Sequence, residues 1–296
     1  MNGRAQVAGA PISWGVIEIP DWGYQMSVDR VLREAASVGL DAMEAGPEGF
    51  LPQDPDEMSR ALAKHGLGLV GGFVPAVLHR PDMRGAELAS VEQRAKFLSA
   101  AGAEVLVLAA FTGSENYEEI IELDDEAWRE LFESLSRVEE IASRYGLTVA
   151  LHPHYGTMIE RGDQLRRFLE DCETGLCLDT GHLVIGGSDP VEVAEQAADR
   201  VKHVHLKDVD QDLARRLAMR DLGFKEAAQR GVFRPLGDGD VDLGQLLELL
   251  ERAHYRGWYV LEQDIVVDAK PREGEGPVTD VRKSLTFLDE QLGQIT

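Results

Sequence analysis

Histidines and carboxylates at the ends of apolar runs are the residues of this chain best suited to chemistry. Five of the eight histidines fall within residues 149–208, in the segments HPHYGT, LDTGH and HVHLKD. In each segment a short apolar run stops at a metal-type ligand, and WYVLEQD repeats the pattern at Glu262. Imidazole nitrogens combined with carboxylate oxygens suit a divalent transition metal. The spacing therefore predicts that several strand ends converge on one metal ion.

The rest of the chain alternates between strand-like and helix-like runs, which predicts eight β/α pairs. The predicted strands cover residues 6–13, 41–46, 67–74, 104–110, 147–152, 175–179, 201–206 and 258–263. The predicted helices cover about 27–39, 55–66, 86–101, 124–145, 163–171, 190–198, 243–254 and 279–293. The strands lack polar alternation, as expected of parallel strands that are covered on both faces.

We therefore predict an α/β fold, a (β/α)₈ TIM barrel that residues 1–296 form as a single domain. A doubly wound open sheet is the second choice, and the number of pairs and the polar residues at the strand ends favour closure. Two regions depart from a minimal barrel, the loop after strand 1 (WGVIEIPDWGY) and residues 208–242. Long loops after barrel strands lie on the catalytic face, so we expect both regions to cover the site.

Composition excludes several classes of function. The 296 residues are 44% hydrophobic and 28% charged, which is typical of a globular protein, and the net charge is −23. That charge argues against binding nucleic acid or an anionic membrane through a basic surface. The sequence contains neither a GxGxxG nor a GxxxxGK[ST] phosphate loop. It also lacks an apolar run of about 18 residues, so no transmembrane helix is expected.

Cysteine usage and the N-terminus predict the compartment. Cys172 and Cys177 are the two cysteines, and their spacing fits neither a CxxC motif nor a disulfide framework. The first residues, MNGRAQVAGAPISWG, contain no long apolar segment of the kind found in a signal peptide. We therefore expect a protein of the reducing cytoplasm.

Four consecutive predicted strands, the fifth to the eighth, end at His152, Asp179, His205 and Glu262. Neighbouring strands lie about 4.8 Å apart, so ligands on four adjacent strand ends can reach one ion. Two nitrogens with two carboxylates favour Mn²⁺, Co²⁺, Fe²⁺ or Zn²⁺. Mn²⁺ and Co²⁺ are preferred because their coordination expands readily to admit substrate oxygens, and Mg²⁺ suits two imidazoles less well.

Two histidine pairs leave the ligand assignment open. His152 and His154 point to the same side of the chain, and so do His203 and His205, because one residue separates the members of each pair. Either member of the first pair can be the ligand, with the other as acid or base. In the second pair we assign the metal to His205, which lies nearer the strand end.

Seven segments carry a family resemblance: APISWG, MEAGPEGFLP, HPHYGT, LDTGH, HVHLKD, GVFRPLGDGDVD and GWYVLEQD. Together they resemble the inosose (2-keto-myo-inositol) dehydratase group over nearly the whole chain. That group belongs to the xylose isomerase-like barrel superfamily, with sugar-phosphate isomerases, ketose 3-epimerases and endonuclease IV. In many members the ligands are Glu, Asp, His and Glu from strands 5 to 8. Here His152 stands at the first position, as in dehydratase-like members, which argues against a 3-epimerase mechanism based on a carboxylate pair.

The resemblance implies a small keto-polyol or keto-sugar substrate whose α-proton is removed to give an enediolate, with the metal as Lewis acid. The notable candidates are His154 as the base and either Glu160 or Lys207 as the acid that protonates a leaving β-hydroxyl. Lys207 would also stabilise an oxyanion. The candidates for substrate binding are Trp14, Glu44, His182 and His203.

Three kinds of function follow from these residues. The first is dehydration of 2-keto-myo-inositol or a related keto-sugar. The second uses the same enediolate for sugar isomerisation or epimerisation, or for β-elimination from a 3-keto-glycoside. The third is an AP endonuclease or a sugar-binding barrel. The charge of −23 and the single-metal ligand set disfavour the nuclease, and a barrel that only binds sugar would not need a full ligand set. We expect no nucleic-acid or membrane partner, and a homo-oligomer is compatible with the sequence.

Overall fold

A closed barrel of parallel strands forms the centre of the computed structural model, which describes residues 5–114 and 118–295. In chain order the described strands are β1 (Val7–Gly9), β2 (Ala42–Glu44), β3 (Gly68–Ala76), β4 (Val105–Ala110), β5 (Thr148–Leu151), β6 (Leu176–Asp179), β7 (Val201–Leu206), β8 (Asp208–Val209), β9 (Phe233–Arg234) and β10 (Tyr259–Leu261). The barrel consists of β1 to β7 and β10, each paired in parallel with its neighbours, and β10 closes it between β7 and β1. This confirms the predicted barrel and excludes the open sheet.

Helices follow the barrel strands on the outside. They are α1 (Val28–Val38), α2 (Pro55–Ala63), α3 (Arg84–Ala100), α4 (Asp125–Arg144), α5 (Gly162–Asp171), α6 (Thr180–Ile185), α7 (Pro190–Ala197), α8 (Gln211–Ala218), α9 (Phe224–Gln229), α10 (Leu243–Arg252) and α11 (Pro277–Ile295). Aspartates cap several of them, as Asp54 does when it accepts from the Glu57 amide before α2. None of the helices in the described ranges is long and apolar enough to cross a membrane.

The barrel interior carries small apolar residues below the strand ends. Alternate residues of β4, Val105 and Val107, pack with Ala150 of β5 and Cys177 of β6 in one buried cluster. Because side chains alternate along a strand, the residue two positions beyond Ala150 or Cys177 points to the same interior. The polar strand-end residues therefore lie directly above a dry apolar layer.

The first and last barrel strands are shorter than predicted. β1 ends at Gly9, and Pro11–Trp14 form a 3₁₀ turn instead of continuing the strand. Pro11 cannot donate a strand hydrogen bond and its fixed φ favours a turn, which ends at Gly15 with φ 75°. At the other end, β10 spans Tyr259–Leu261, within the predicted 258–263.

Residues 208–242, here named the insertion, fold into a small unit of their own. An antiparallel pair, β8 with β9, brings its two ends together, and α8 and α9 lie between them. The predicted loop after β1 meets this unit, because the Trp22 ring lies 5.7 Å from that of Phe224. The two regions predicted to cover the site therefore pack on each other.

Candidate metal centre and active site

Four strand ends bring their side chains into one buried cluster. Asp179 Oδ2 lies 3.1 Å from His152 Nε2 and 3.4 Å from His205 Nδ1, and His205 Nδ1 lies 2.6 Å from Glu262 Oε2. Within this set the ligand atoms of Asp179, His205 and Glu262 all lie within 4.8 Å of one another. Three of the four predicted ligands are thus close enough to share one ion, and His152 joins them through its contact with Asp179.

The backbone around each strand end fixes these positions. Asp179 pairs with His205 in the β6–β7 register, which sets the two side chains next to each other. The amide of His152 donates to the Leu108 carbonyl, and that of Glu262 donates to the Leu206 carbonyl. Each ligand is therefore held by the neighbouring strand.

The LDTGH segment has several structural tasks besides ligation. Asp179 Oδ1 accepts from the His182 amide and caps α6, while Oδ2 faces the cluster. The hydroxyl of Thr180 accepts from the Lys207 amide. A Cβ at Gly181 would overlap the Lys207 side chain, so only glycine leaves room for that lysine. Asp179 can therefore cap α6 with one oxygen and face the cluster with the other.

The polar atoms of the cluster fit a divalent cation. His205 Nδ1 and Glu262 Oε2 lie 2.6 Å apart, yet neither makes a hydrogen bond of acceptable geometry within the described residues. Two lone-pair atoms this close and this buried require a proton or a cation near them. Borderline nitrogens with hard oxygens are a donor set for Mn²⁺, Co²⁺, Fe²⁺ or Zn²⁺. The chemistry of the residues therefore suits one of these ions.

Glu44 contacts two histidines of β7, one of which, His205, is a predicted ligand. Its Oε1 accepts from His203 Nε2 at 2.8 Å and from His205 Nε2 at 3.0 Å. Burial alone would raise the pKa of Glu44, but His205 and His203 lower it far below its usual value. The carboxylate is therefore ionised and holds two imidazole N–H groups.

Lys207 is a buried ammonium surrounded by carboxylates. It is 1% exposed, and its Nζ lies 2.6 Å from Asp264 Oδ1, 3.3 Å from Glu262 Oε2 and 3.8 Å from Asp179 Oδ2. Burial lowers the pKa of Lys207, but Asp264, Glu262 and Asp179 together raise it well above its usual value. Burial and Glu262 raise the pKa of Asp264 to about 6, against the opposing effect of Lys207. These groups place one fixed positive charge beside the ligands.

Charge in this region is unbalanced by the side chains alone. Among the described residues of the cluster, four carboxylates (Glu44, Asp179, Glu262 and Asp264) share the site with Lys207 and with His205, whose pKa is lowered by burial but raised well above its usual value by Cys177, Glu262 and Glu44. Unpaired buried carboxylates are costly, and a divalent ion would bring the balance close to neutral. This is a second physical reason, besides geometry, to assign a cation here.

His154 and His182 lie together on the insertion side of the cluster. Their ring centroids are 3.8 Å apart, and the His154 ring is 5.1 Å from that of His152. His154 Nδ1 lies 2.7 Å from the Tyr155 carbonyl, which can only accept, so Nδ1 carries the proton and Nε2 the lone pair in the neutral ring. Burial lowers the pKa of His154 to about 3, with His152 and Lys207 adding to the effect. The ring is therefore neutral at neutral pH.

Two phenylalanines of the insertion reach the site. The Phe224 ring lies 6.3 Å from both the His154 and the His182 rings. The Phe233 ring lies 6.1 Å from His182, with Lys207 Nζ 5.2 Å from its centroid. The insertion, which lies between β7 and β10 in the chain, thus contributes aromatic surface beside the polar cluster, as its length predicted.

Comparison with known proteins agrees with the barrel fold. The family model described as the xylose isomerase-like TIM barrel matches residues 32–291. The chain belongs to the xylose isomerase-like TIM barrel family. An inosose dehydratase of Geobacillus kaustophilus (strain HTA426) is 31% identical over 266 residues, covering 86% of each chain. The inosose dehydratase of Salmonella typhimurium (strain LT2) is 30% identical over 293 residues, covering 96% of this chain and 95% of that protein.

The solved structures support the fold of this xylose isomerase-like barrel. A structure of L-ribulose 3-epimerase superposes with a TM-score of 0.72 at 16% identity, covering 99% of this chain and 96% of that one. At that identity the likeness concerns the fold alone. Together with the family match, it confirms the resemblance inferred from the sequence motifs.

Trp14 and Glu160, two predicted site residues of this xylose isomerase-like barrel, form hydrogen bonds with residues outside the cluster of predicted ligands. The Trp14 ring is buried, and its Nε1 donates to Glu34 Oε2 at 3.0 Å. Both Glu160 oxygens accept from Arg220, each at 2.9 Å. The structure thus brings His154, His182, His203, Lys207 and Glu44 against the ligand cluster, and gives Trp14 and Glu160 partners of their own.

Sequence reasoning overlooked Asp264 and Arg220. Asp264 follows Glu262 by two residues, and the E-x-D alternation could have revealed it as a second inward carboxylate. Arg220 offered no comparable signal, since its contact with Glu160 spans 60 residues. It stands at φ 59°, where the chain turns between α8 and α9.

Proposed function

We propose that this chain is a metal-dependent dehydratase that removes water from a keto-polyol, with 2-keto-myo-inositol as its substrate. The observation that carries the proposal is the buried cluster of His152, Asp179, His205 and Glu262, with a neutral histidine and a lysine beside it. Relatives named inosose dehydratase, about 30% identical over most of the chain, support the choice of substrate.

His152, Asp179, His205 and Glu262 would hold the divalent ion, and the donor set favours Mn²⁺ or Co²⁺. When bound, such an ion supplies Lewis acidity that polarises a substrate carbonyl and makes the neighbouring C–H more acidic. The neutral form of His152, whose pKa burial lowers, is the form able to ligate.

His154 is the base in this proposal. Its ring lies 5.1 Å from that of His152, so the proposed base stands beside a predicted ligand. The hydrogen bond from Nδ1 to the Tyr155 carbonyl directs the ring and assigns the lone pair of the neutral ring to Nε2, the atom that would accept the α-proton. A neighbouring histidine, His182, packs against it and fixes its plane.

Lys207 is the acid in this proposal, and it also stabilises negative charge on substrate oxygen. Its ammonium lies within 4 Å of two of the four ligands, Asp179 and Glu262. The other acid candidate, Glu160, is bound on both oxygens by Arg220. Loss of the α-proton to His154 and of a β-hydroxyl protonated by Lys207 removes one water and leaves an enol that tautomerises to the dione.

The surroundings suit a ring-shaped polyol. Phe224 and Phe233 place apolar rings beside His182, next to the polar cluster. His182 Nε2 is buried and makes no hydrogen bond within the described part of the chain, so it can serve a substrate hydroxyl. A site with apolar walls and few polar groups is typical of small-molecule pockets.

Isomerisation or epimerisation of a sugar, or β-elimination from a 3-keto-glycoside, is the alternative, since these reactions share the first proton abstraction. They differ in the fate of the enediolate: a proton returns, or a different group leaves. The end of β5 carries His152 and not a carboxylate, which favours dehydration over an epimerase mechanism with two carboxylates.

The test is to load the protein with Mn²⁺ or Co²⁺ and follow the absorbance of the conjugated product from 2-keto-myo-inositol, beside a panel of ketoses and 3-keto-glycosides. We expect turnover with the inosose, and a fall of about 10²- to 10⁴-fold for His154→Gln with metal content retained. His79→Gln, which changes a buried histidine outside the cluster, is the matched control and should keep full turnover. Turnover of a ketose or 3-keto-glycoside without dehydration of the inosose would favour the alternative, and an unaffected His154→Gln would remove the proposed base.

A further inference from the structure

Glu44 reaches across the barrel to the ligand histidine. It ends β2, and the barrel order places β1 and β10 between β2 and β7. Its Oε1 nevertheless accepts from Nε2 of His205 at 3.0 Å and from Nε2 of His203 at 2.8 Å. Glu44 is 4% exposed and both histidines are buried, so these hydrogen bonds are shielded from water.

We propose that Glu44 is a positioning residue that fixes the tautomer of His205, so that Nδ1 and not Nε2 is its ligand nitrogen. This inference rests on the metal site of the proposed function. A carboxylate can only accept, so the Nε2 that faces it keeps the single proton of a neutral imidazole. The lone pair is then on Nδ1, which lies 2.6 Å from Glu262 Oε2 and 3.4 Å from Asp179 Oδ2.

His203 holds Glu44 in place for this task. Its Nε2 donates to the same oxygen that binds His205, and the two rings lie 5.1 Å apart at an interplanar angle of 74°. Without the carboxylate, the His205 ring would be free to take the other tautomer or to turn about its Cβ–Cγ bond. Losing a group that orients a ligand in this way typically weakens metal binding by about 10- to 100-fold.

Two other interpretations of Glu44 make different predictions. As a substrate-binding group it would change KM and leave metal affinity alone. As a ligand, with His203 and His205, it would hold a second ion. Both ions would then bind the His205 ring, one on each side of the imidazole. Only one carboxylate oxygen, that of Glu44, would be present to neutralise the charge of the second ion. The hydrogen-bond distances of 2.8 and 3.0 Å fit the positioning task without this electrostatic cost.

The first measurement is Zn²⁺ binding to the metal-free full chain, by competition with a chromophoric chelator. We expect one ion per chain, a Kd raised about 10-fold in Glu44→Gln and about 100-fold in Glu44→Leu. Glu34→Gln is the matched control, because it alters another buried carboxylate that accepts from Trp14 and Arg30, outside the cluster. Its Kd should equal that of the unmodified protein.

The second measurement needs no variant. Histidine side-chain ¹⁵N spectra of the Zn²⁺-loaded protein should show His205 protonated at Nε2 and coordinated at Nδ1, and would decide the question even if the Glu44 variants fail to fold. Coordination through Nε2, a Kd unchanged in both Glu44 variants, or two ions per chain would each overturn the inference. If the unmodified protein binds no Zn²⁺, Mn²⁺ or Co²⁺, the proposed function fails as well; if it binds one and only the Glu44 results disagree, the positioning role alone is wrong.

Discussion

Asp208 is the residue whose replacement should destabilise the insertion most. Its side chain is 1% exposed and accepts four backbone hydrogen bonds. Oδ1 accepts from the amides of Val209 and Val241 at 3.0 and 3.1 Å, and Oδ2 accepts from those of Gly237 and Gly239 at 2.8 and 3.0 Å. Asp208→Ala removes all four acceptor contacts, and the segment after β9 then keeps fewer hydrogen bonds, among them those from the Leu236 amide to Ser284 and from the Asp240 amide to the Val209 carbonyl.

The magnitude follows from these four bonds. A hydrogen bond to a charged group contributes about 1.5–3 kcal/mol, and an unsatisfied buried donor costs about 1–3 kcal/mol. The contributions do not add fully, because the freed segment can move and expose some amides to water. If two of the four amides stay unsatisfied, the free energy of unfolding falls by about 3–5 kcal/mol. For a chain of this size that corresponds to a drop in Tm of roughly 6–10 °C.

The isosteric change Asp208→Asn sharpens this prediction. One of the two side-chain positions would become an NH₂ group facing two backbone N–H donors, so we expect a loss approaching that of Asp208→Ala. Gly239→Ala should also be destabilising, since its Cβ would overlap the Asp208 carboxylate. Asp242→Ala is the control: this exposed N-cap accepts one amide, from Gln245, and should cost about 1 kcal/mol.

Chemical denaturation followed by circular dichroism gives the free energies, and hydrogen exchange of residues 232–242 locates the loss. In Asp208→Ala these amides should exchange faster while β4 and β5 keep their protection. A variant Asp208→Asn as stable as the unmodified chain would refute the reasoning, because the structure requires two acceptor oxygens at that position.

Three further experiments test other parts of the structure. Asp179→Asn and Glu262→Gln should each abolish tight binding of one Mn²⁺ or Co²⁺ per chain, because each removes the charge of a predicted ligand. Metal analysis after gel filtration measures the binding, and full binding in both variants would exclude the assignment. In a double-mutant cycle, Arg220→Met and Glu160→Gln should show a coupling of about 1–3 kcal/mol, since both oxygens of the pair are engaged at 2.9 Å; additive losses would show that the pair contributes nothing. Burial and then Arg80 lower the pKa of His79, so the unfolded chain takes up the proton first and stability falls as pH drops below about 6.5. His79→Gln should flatten that part of the stability-versus-pH curve, and an unchanged slope would contradict the assignment.

The sequence was sufficient to predict the barrel and the convergence of four polar strand-end side chains for a common physical reason. Parallel strands covered on both faces are continuous apolar runs, so a polar residue that ends such a run is conspicuous. Closure of the barrel then brings Asp179 and His205 side by side, as their register shows. Periodicity and topology together are therefore enough to predict these contacts.

Other contacts join residues that are far apart in the sequence, and no local sequence pattern predicts them. Glu44 meets His205 across 161 residues, and Arg220 meets Glu160 across 60. The short length of β1 likewise depends on a turn at Pro11, where the apolar run of residues 6–13 predicted a continuous strand. Sequence patterns report which face a side chain occupies, but not which partner from a distant strand occupies the same space.

The HVHLKD segment shows how one strand exit joins the cluster to its cover. Successive inward residues are His203, which binds Glu44; His205, which faces Asp179 and Glu262; and Lys207, which pairs with Asp264. The next residue, Asp208, holds the insertion that brings Phe233 over the site. A slip of one residue in β7 would turn every one of these side chains to the wrong face. The pairing of Cys177 with His203 and of Asp179 with His205 fixes that register, so the same backbone contacts that close the barrel also align the ligands with the aromatic surface above them.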